Sequence, residues 1–371
     1  MSSRSRPDAR GIRTFRFAAA GVPCEVSVGS GALARLPVAL GRIAPGRWLV
    51  VSSAPVLGAQ GRLLGEALGG ATSLDPEPIL VADGEAAKTW TSLGRLLSEM
   101  AARGLSRDGG VIAFGGGTVG DVAGLAASLA LRGVPVVQVP TTLLAAADSA
   151  LGGKTAVNLP AGKNLAGAFH HPRLVCVDPR LLSTLSDRDH RSGLAEVVKT
   201  ALLSASFWRR LPELLEGLAA RDESALAEAV ERSLRVKADV VSRDPDEGLG
   251  LRHVLNLGHT VAHALEGASE YRLRHGEAVA WGLLAALRLS ATRGLLPGRT
   301  ATRIERLVAG ILRPPPLPAA VRRGWPALLG ADKKRDRAGL RDVLLAGPGR
   351  PRLERVTAVE IVASLPDDAG S

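Results

Sequence analysis

The chain has 371 residues, of which 46% are hydrophobic and 22% charged, a composition typical of a globular protein long enough for two domains. Its formal net charge is +11, but the basic residues are scattered and no aromatic–basic recognition pattern accompanies them, so biased amino-acid usage and a phosphorylated ligand explain the charge better than nucleic-acid binding. No stretch reaches the roughly 20 apolar residues of a membrane span and no apolar leader region follows the N-terminus, so we expect a cytoplasmic protein that binds neither membrane nor nucleic acid.

Strand and helix patterns alternate through the first half of the chain. Residues 1–12 are polar and basic and are expected to be disordered. Short strands are predicted at Glu25–Val28, Trp48–Ser52, Pro78–Val81, Gly110–Phe114 and Val134–Val139. Helices are predicted between them at Leu57–Leu68, Trp90–Arg103 and Asp121–Arg132. This alternation indicates a parallel sheet with helices on both faces, and Cys24 and Cys176 lie in apolar runs that predict buried thiols in a reducing compartment.

The second half is dominated by the helical period. Helices are predicted at 193–204, 206–220, 223–242, 250–266 and 275–294, and a strand-turn-strand follows at Arg341–Leu345 and Arg352–Val356. We therefore expect an α/β fold with an N-terminal nucleotide-binding domain over residues 1–185. A mainly α-helical domain that binds metal and substrate is expected over residues 186–371.

A glycine-rich turn follows the apolar strand that ends at Phe114. It comprises Gly115-Gly116-Gly117-Thr118-Val119-Gly120-Asp121 and opens a predicted helix. Glycines allow a pyrophosphate to approach the backbone, and a helix N-terminus supplies N–H donors and partial positive charge. The spacing is not GxGxxG, so an ordinary Rossmann site is not indicated, and tight packing is the alternative explanation.

Four polar residues recur at helical spacing in the segment predicted to be helical at 250–266. Arg252, Asn256, His259 and His263 fall at i, i+4, i+7 and i+11, which predicts that they share one helix face among apolar neighbours. A single histidine there would more often be a satisfied core residue. Four polar groups in register are costly to bury without partners, and they favour a functional site.

Glu196 and His275 complete a possible metal-ligand set. Two neutral imidazoles and one carboxylate with an open position are typical of catalytic Zn²⁺, so Glu196, His259 and His275 are the candidates. Lys199 lies one helical turn after Glu196. The alternative for Glu196 and Lys199 is an ordinary ion pair on a helix surface.

A polar, Gly-rich segment lies between two apolar strands. Its polar residues are Thr141, Thr142, Asp148, Lys154, Asn158, Lys163 and Asn164. Lysines and asparagines in a loop suit an anionic ligand. A solvated loop without function explains this segment equally well.

Several blocks of the chain occur together in one known family. They are GGGTVGDVAG, LRGVPVVQVPTTLLAAADSALGGKTAVNLPAGKNLAGAF, GLAEVVKTALL, GLRHVLNLGHTVAHALE and RHGEAVAWG. On these blocks the chain resembles the 3-dehydroquinate synthases, in the family's order and spacing, from about residue 14 to residue 360.

The resemblance implies a role for each matching residue. The implied ligands of Zn²⁺ or Co²⁺ are Glu196, His259 and His275. The implied NAD contacts are Glu85, Lys88, Gly116, Gly117, Asp121, Thr141, Thr142, Asp148, Lys163, Asn164 and Thr184. The implied substrate and catalytic residues are Lys154, Lys199, Lys237, Arg252, Asn256 and His263, together with Asp148. Arg132 matches an arginine that reaches the neighbouring subunit's phosphate site, which implies a homodimer, and Lys333 or Lys334 matches a phosphate-binding lysine.

The family's chemistry implies the function. NAD transiently oxidises a hydroxyl of a seven-carbon keto-acid phosphate, phosphate is eliminated, the hydride returns and an aldol reaction closes the ring. The implied reaction converts 3-deoxy-D-arabino-heptulosonate 7-phosphate to 3-dehydroquinate and phosphate. Alternatives are another sugar-phosphate cyclase, such as amino-dehydroquinate synthase, and a metal-dependent polyol dehydrogenase of the same fold. Arg252 and Asn256 speak against cyclases whose substrates lack a carboxylate.

One departure from the family concerns the end of the strand at Trp48–Ser52. The family often has Asp and Asn where this chain has Ser53 and Pro55. An acid that would bind the adenosine ribose is therefore missing at that position. The sequence leaves open which group replaces it.

Overall fold

The computed structural model describes residues 7–69, 74–75, 77–329 and 340–367. Within these residues the strands are β1 (Arg13–Ala19), β2 (Val22–Val28), β3 (Trp48–Ser53), β4 (Ile79–Val81), β5 (Gly110–Gly115), β6 (Val136–Pro140), β7 (Lys154–Leu159), β8 (Gly162–Phe169), β9 (Leu174–Val177), β10 (Leu340–Leu345) and β11 (Pro351–Val356). The α-helices are α1 (Leu36–Ile43), α2 (Ala54–Leu68), α3 (Trp90–Ala102), α4 (Gly117–Leu129), α5 (Asp187–Leu202), α6 (Ala205–Ala219), α7 (Glu223–Arg243), α8 (His259–Ala268), α9 (His275–Thr292), α10 (Gly298–Leu312), α11 (Ala319–Gly324) and α12 (Ala358–Ser364).

Seven of these strands form one sheet in the order β1-β2-β9-β6-β5-β3-β4. β1 and β2 pair antiparallel at one edge, and the remaining neighbours pair parallel. Successive residues of β5 point to opposite faces, so Val111 and Ala113 pack with α3 and α4, whereas Ile112 and Phe114 pack with α1 and α2. The predicted α/β fold, with a parallel sheet covered on both faces, is confirmed.

The chain divides into two compact units, Met1–Leu185 with Gly217–Asp246, and Ser186–Glu216 with Glu247–Ser371. The first unit contains the large sheet and also α7, which the sequence had grouped with the helical half. This helix packs on β1, where the Arg235 guanidinium lies 4.4 Å from the centroid of the Phe15 ring. The packing of α7 on β1, with this cation–π contact, therefore explains why it joins the sheet unit although it follows the predicted boundary at 185.

Two parts of the first unit contain strands where none was predicted. β7 and β8 form an antiparallel hairpin in the Gly-rich stretch that suggested a loop, and Thr155 Oγ1 donates to Ala168 O at 2.8 Å within it. β1 adds an antiparallel edge to the sheet. The hairpin was missed because its small residues give little apolar alternation, whereas β1 has apolar Phe15, Phe17 and Ala19 at alternate positions and was overlooked.

Residues 7–12 precede β1 and form a hydrogen-bonded turn. The Asp8 carboxylate accepts hydrogen bonds from the backbone N–H groups of Arg10 and Ile12, at 2.9 and 3.0 Å. Ile12 is buried in the core beside α1. This part of the stretch expected to be disordered has a defined conformation, and residues 1–6 lie outside the described residues.

The second unit is mainly helical in its described residues, as the sequence predicted. α9 packs against α5, α8, α10 and α12. β10 and β11 pair antiparallel, which confirms the predicted strand-turn-strand.

The continuous helix predicted at 250–266 is wrong. Residues Leu251–Asn256 form a 3-10 segment, and α8 begins only at His259. Gly258 separates them with a φ of 77°, a left-handed conformation that interrupts a helix and favours glycine. Arg252 and Asn256 therefore do not share a helix face with His259 and His263.

Both cysteines lie in the described part of the chain and are free, buried thiols. Burial raises the pKa of Cys24 and of Cys176 well above the ordinary thiol value, so both stay protonated. Among the described residues, no helix has the length and apolar character needed to cross a membrane.

Candidate active site

Three side chains of the second unit converge on one point. Glu196 lies on α5, His259 begins α8 and His275 begins α9. Glu196 Oε1 lies 3.7 Å from His259 Nε2 and 3.4 Å from His275 Nε2. One ligand atom of each residue lies within 4.8 Å of the others. The structure thus brings together the three residues that the sequence proposed as metal ligands, although His259 begins its helix and does not lie within it.

Glycines beside the two histidines bring these elements into backbone contact. A Cβ on Gly276, the residue after His275, would lie 2.0 Å from the carbonyl oxygen of Ser192 on α5. The Gly276 N–H donates to Ser192 Oγ at 3.0 Å, so α5 also caps the first turn of α9. A Cβ on Gly282 of α9 would lie 1.9 Å from the carbonyl oxygen of Gly258, the residue before His259. Because these glycines have no side chains, α9 can lie in backbone contact with α5 and with the residue before His259. These contacts hold the three ligands close together.

Further groups orient the three side chains. Lys199 lies one turn after Glu196 on α5, and its buried ammonium forms an ion pair with Glu196 Oε2. His259 Nδ1 lies 3.2 Å from Leu257 O, and His275 Nδ1 lies 3.4 Å from both carboxylate oxygens of Glu266. In each imidazole the Nδ1 contact leaves Nε2 directed at Glu196. A carboxylate or carbonyl behind a histidine is the usual way to fix its ring and tautomer in a metal site.

His275 has an unusual protonation equilibrium when no metal is bound. Burial lowers the pKa of the imidazole, but hydrogen bonds to Glu196 and Glu266 outweigh burial and raise the pKa to about 10. The ring is therefore protonated at neutral pH, and its positive charge offsets the negative charges of the Glu196 and Glu266 carboxylates. A divalent cation would displace that proton and take over its electrostatic role.

The donor set fits a divalent cation. Two imidazole nitrogens and one carboxylate oxygen lie close enough to coordinate one ion, and they leave further coordination positions for oxygen atoms of a ligand. The buried Glu196 pairs with Lys199 through Oε2, and its Oε1 faces the two imidazole nitrogens, so a cation there would meet a negatively charged oxygen. Imidazole and carboxylate suit Zn²⁺ and Co²⁺ alike.

Three further residues predicted to contact substrate lie in the second unit. Arg252 is buried with only 3% of its surface exposed, and Asn256 is half-buried at the end of the same 3-10 segment. His263 is exposed on α8, and its ring lies 5.5 Å from that of His259, edge-on. His263 therefore adjoins the metal-ligand candidates, while Arg252 lies on a separate segment.

In the first unit, Lys88 is the centre of a polar cluster. Its ammonium donates to Asp121 Oδ2 at 2.5 Å and also to Asn164 Oδ1. Burial raises the pKa of the Asp121 carboxyl, and the neighbouring Lys88 opposes that rise. Only 4% of the Lys88 surface is exposed, so its charge is held in place by these two acceptors.

Glu85 extends this cluster across the β7–β8 hairpin. Its carboxylate accepts a hydrogen bond from Asn158 Nδ2 at 2.7 Å and lies 3.4 Å from Lys163 Nζ. The Asn158 side chain in turn accepts from the backbone N–H of Asn164 at 2.9 Å. The structure therefore brings together Glu85, Lys163 and Asn164, which the sequence proposed as NAD contacts.

The glycine turn packs tightly before α4. A Cβ on Gly116 would lie 3.1 Å from Thr142 Cγ2, and a Cβ on Gly117 would lie 2.9 Å from Ser149 Oγ. Packing therefore requires small residues here, as the alternative interpretation proposed. The first turn of α4 still offers backbone N–H groups that a helix cannot satisfy internally, so the turn also fits a pyrophosphate.

Lys237 of α7 contacts the segment that follows β6. Its ammonium donates to the carbonyl oxygen of Asp148 at 2.7 Å and to Asp148 Oδ1 at 2.8 Å. Asp148 lies in a one-turn π-helical segment, Ala145–Ser149, a distortion often found at functional sites. Two predicted site residues, separated by 89 positions, are thereby brought together.

The remaining predicted site residues are not members of these groups. Thr141 donates its backbone N–H to Gly115 O at 3.0 Å, and Thr184 Oγ1 accepts from Gln60 Nε2 at 2.9 Å. Lys154 is exposed at the start of β7. Arg132 is exposed at the end of the 3-10 segment Ala130–Arg132, with a φ of 67°. Lys333 and Lys334 lie outside the described residues.

Sequence reasoning missed Glu266, which the structure places behind His275. A signal was available, because Glu266 follows His259 by seven residues and His263 by three, the spacing of one helix face. The contact from Leu257 O to His259 could not be predicted, since it depends on the left-handed Gly258.

Two family models match consecutive parts of the chain. A family model described as 3-dehydroquinate synthase N-terminal matches residues 78–192, and one described as 3-dehydroquinate synthase C-terminal matches 193–335. The 3-dehydroquinate synthase of Syntrophotalea carbinolica is 40% identical over 334 residues, which are 89% of this chain and 92% of that protein.

Two solved structures of sugar-phosphate cyclases share the fold. A 2-deoxy-scyllo-inosose synthase complexed with carbaglucose-6-phosphate, NAD⁺ and Co²⁺ is 27% identical with a TM-score of 0.83, over 95% of this chain and 99% of that one. The 2-epi-5-epi-valiolone synthase of Streptomyces hygroscopicus, with NAD⁺ and Zn²⁺ bound, is 31% identical with a TM-score of 0.80, over 92% and 95%. From the two family models and the similarity along most of its length, the chain belongs to the 3-dehydroquinate synthase family.

Proposed function

We propose that this protein is a 3-dehydroquinate synthase. It would convert 3-deoxy-D-arabino-heptulosonate 7-phosphate to 3-dehydroquinate and phosphate, as a lyase that depends on NAD and a divalent metal. The observation that carries the proposal is the convergence of Glu196, His259 and His275, in a chain that belongs to this family.

Each cofactor has residues that suit it. Glu196 Oε1, His259 Nε2 and His275 Nε2 would hold Zn²⁺ or Co²⁺ in the second unit. Residues of the first unit would bind NAD, namely the glycine turn and the cluster around Lys88. When bound, the metal supplies positive charge that polarises a substrate hydroxyl, and NAD supplies a transient hydride acceptor that is regenerated.

The protein's own side chains would bind and orient an anionic substrate. Lys199 is almost fully buried beside Glu196, so its ammonium is desolvated and suits an oxygen anion near the metal. Lys237 is held by Asp148, which fixes its position, and Lys154 and His263 are exposed where a ligand can reach them. Their positive charges and hydrogen-bond donors suit the phosphate, carboxylate and hydroxyl groups of a phosphorylated sugar acid.

Arg252 supports a substrate with a carboxylate. A guanidinium binds a carboxylate through two parallel hydrogen bonds, and burial strengthens such a pair. The buried Arg252 therefore favours dehydroquinate synthesis over the cyclisation of sugar phosphates that have no carboxylate. An amino analogue of the substrate would keep the carboxylate and bind in the same way.

Two further properties belong to this proposal. We propose a cytoplasmic location, which the two buried, unpaired thiols support, because cysteines of secreted proteins usually form disulfides. We also propose a homodimer in which Arg132 serves the phosphate site of the partner. The exposed position of Arg132, at the end of a 3-10 segment with two successive left-handed residues, supports a role outside its own chain.

Phosphate release tests the proposal directly. The purified protein, supplied with the heptulosonate phosphate, NAD and Zn²⁺ or Co²⁺, should release one phosphate per dehydroquinate, and NADH should not accumulate. Chelation should stop the reaction, and returning either metal should restore it. Growth of NADH absorbance in proportion to product would instead identify a dehydrogenase, and turnover of glucose 6-phosphate in preference would identify an inosose-type cyclase.

A further inference from the structure

Asn158 belongs to the polar segment that the sequence singled out, but the family resemblance gives it no role. It lies in β7, at the point where the register with β8 shifts between Val157 and Leu159. A shift of this kind, as in a β-bulge, interrupts the ladder and redirects a side chain, and such irregularities are frequent beside functional sites. The backbone N–H of Asn158 donates outside the hairpin, to the carbonyl oxygen of Lys88 at 2.9 Å. The irregular strand is thereby tied to the segment before α3.

The side chain of Asn158 joins two further parts of the chain. Its Nδ2 donates to Glu85 Oε2 at 2.7 Å, and Glu85 lies in the 3-10 segment Gly84–Ala87 that follows β4. Its Oδ1 accepts the backbone N–H of Asn164 in β8 at 2.9 Å. A backbone N–H can only donate and a carboxylate can only accept, so the two bonds together fix the orientation of the amide. One uncharged side chain therefore holds a carboxylate and a backbone segment in a fixed relation.

The bond to Asn164 supports an unfavourable backbone conformation. Asn164 has a φ of 55°, in the left-handed region that costs energy for residues other than glycine. In this conformation its side chain accepts a hydrogen bond from the Lys88 ammonium, which also donates to Asp121 of α4 at 2.5 Å. A continuous set of hydrogen bonds thus runs from Glu85 through Asn158 to Asn164, Lys88 and α4.

We propose that Asn158 is a positioning residue for NAD, which aligns Glu85 with Asn164 and Lys88 before the cofactor binds. An amide suits this task because it holds the Glu85 carboxylate without adding a charge. Half of the Glu85 side chain remains exposed, so its carboxylate can still accept hydrogen bonds from hydroxyl groups of a ligand. Groups that are aligned in advance lose less freedom on binding, which favours affinity. The inference rests on the proposed function, in which the cluster around Lys88 binds NAD.

A double-mutant cycle on NAD affinity tests the positioning role. Calorimetric titration with NAD is carried out on the metal-loaded wild type, on Asn158→Ala, on Glu85→Ala and on the double variant. Each single substitution should weaken NAD binding about tenfold, as expected for loss of a hydrogen bond to a charged group. Because Asn158 acts through Glu85, the loss in the double variant should stay below about thirtyfold, whereas independent effects would multiply to about a hundredfold. A double loss of about thirtyfold or more, or wild-type affinity in Asn158→Ala, would overturn the inference.

Exchanging the two side chains gives a second readout, which also serves if Asn158→Ala does not fold. Asn158→Asp keeps an acceptor for Asn164 but places a second carboxylate against Glu85, so NAD affinity should fall further than in Asn158→Ala. Adding Glu85→Gln to Asn158→Asp supplies a donor to the new carboxylate and should raise NAD affinity about fivefold, although Glu85→Gln alone lowers it. A general structural role of Asn158 would not produce this reversal, and its absence would contradict the positioning role.

Thr155→Val is the matched control within the same hairpin. Thr155 Oγ1 donates to Ala168 O at 2.8 Å, so the substitution removes a hydrogen bond of the hairpin that reaches neither Glu85 nor Asn164. It should lower the free energy of unfolding and leave NAD affinity within about twofold of the wild type. If Thr155→Val weakens NAD binding as much as Asn158→Ala, the stability of the hairpin governs binding, and the positioning role is wrong.

Failure of this inference can be separated from failure of the proposed function. Phosphate release by the wild type depends on the metal and substrate residues and tests the function by itself. At saturating NAD, Asn158→Ala should keep kcat within about twofold of the wild type and raise only the KM for NAD. If the wild type releases phosphate while Asn158→Ala binds NAD equally well, only the positioning role fails. If the wild type neither binds NAD nor releases phosphate, the proposed function fails, and this inference fails with it.

Discussion

The two units hold their predicted functional residues in different ways. In the second unit, Glu196, His259 and His275 are fixed by backbone contacts between helices, at Gly276 and at Gly282. In the first unit, the residues around Lys88 lie on a 3-10 segment, on α4 and on the β7–β8 hairpin, and they are fixed mainly by hydrogen bonds to one another. One site depends on packing, whereas the other depends on a polar network.

This difference matches what each ligand demands. A metal ion requires its ligand atoms at distances set within a few tenths of an ångström, so its site needs a support that cannot shift. A dinucleotide is long and makes many individually weak contacts, which adaptable side chains on loops can supply. Changes at the packing contacts around the three metal ligands should therefore lower metal affinity and stability together, and changes in the polar network around Lys88 should weaken NAD binding alone.

Loss of a metal ligand should have the largest effect. His275→Ala removes one of three protein ligands, and at roughly 3–4 kcal/mol per ligand this should lower metal affinity about a thousandfold. His263→Ala is the matched control, because its ring lies next to that of His259 but is not part of the ligand set. The control should keep the metal and lose turnover, which metal analysis and phosphate release will show. Full zinc retention in His275→Ala would contradict the ligand assignment.

A methyl group added at Gly282 tests the close contact between α9 and Gly258 in the second unit. Gly282→Ala would place a Cβ 1.9 Å from Gly258 O, so α9 must move away from the residue that precedes His259. Overpacking of this kind should cost about 3 kcal/mol in the free energy of unfolding and should also reduce metal affinity. Gly310→Ala on α10 is the control, because a Cβ there meets nothing within 4 Å. Denaturant unfolding of both variants gives the comparison, and equal stability would show that the close glycine contact does not fix the site.

The polar network of the first unit should behave differently. Lys88→Met removes the cation between Asp121 and Asn164 but keeps the length of the side chain. NAD affinity should fall roughly ten- to a hundredfold, as expected for loss of a hydrogen-bonded charge. Metal affinity, measured in the same preparation, should stay within twofold of the wild type. A parallel loss of metal would mean that the two sites are not independent.

Arg252 tests which substrate the second unit binds. Arg252→Lys keeps the charge but cannot reproduce a two-pronged contact with a carboxylate, so kcat/KM for the heptulosonate phosphate should fall roughly ten- to a hundredfold. Zinc content should not change, because Arg252 lies on the 3-10 segment and outside the ligand set. If the variant were as active as the wild type, Arg252 would not be a carboxylate ligand.

The sequence predicted the sheet, its helices and the identity of the three converging residues, because apolar periodicity and residue chemistry are local signals. It did not predict the break before His259. The helical spacing of Arg252, Asn256 and His259 was real, but Gly258 adopts a left-handed conformation to fit against Gly282, and that contact exists only in the folded chain. The Glu85–Asn158 contact was missed for a related reason, since the hairpin that creates it has no clear strand pattern.

The most gradual expected effect concerns pH and follows from His275. Without metal, its pKa is raised from 6.5 to about 10 by Glu196 and Glu266. A group whose pKa is higher in the folded than in the unfolded state stabilises the fold below the unfolded value, and this contribution is lost as pH rises through the folded value. The metal-free protein should therefore lose stability gradually between pH 6.5 and about 10.

Metal binding should reverse that loss, because the cation replaces the proton on His275. Apparent metal affinity should rise by about tenfold per pH unit across this window, as expected for displacement of one proton. The difference in Tm between metal-loaded and metal-free protein should grow accordingly from pH 6.5 to pH 9. Glu266→Gln removes one of the two carboxylates that raise the folded-state pKa, so the growth should end at lower pH in that variant. A Tm difference that does not change with pH would mean that His275 carries no proton for the metal to displace.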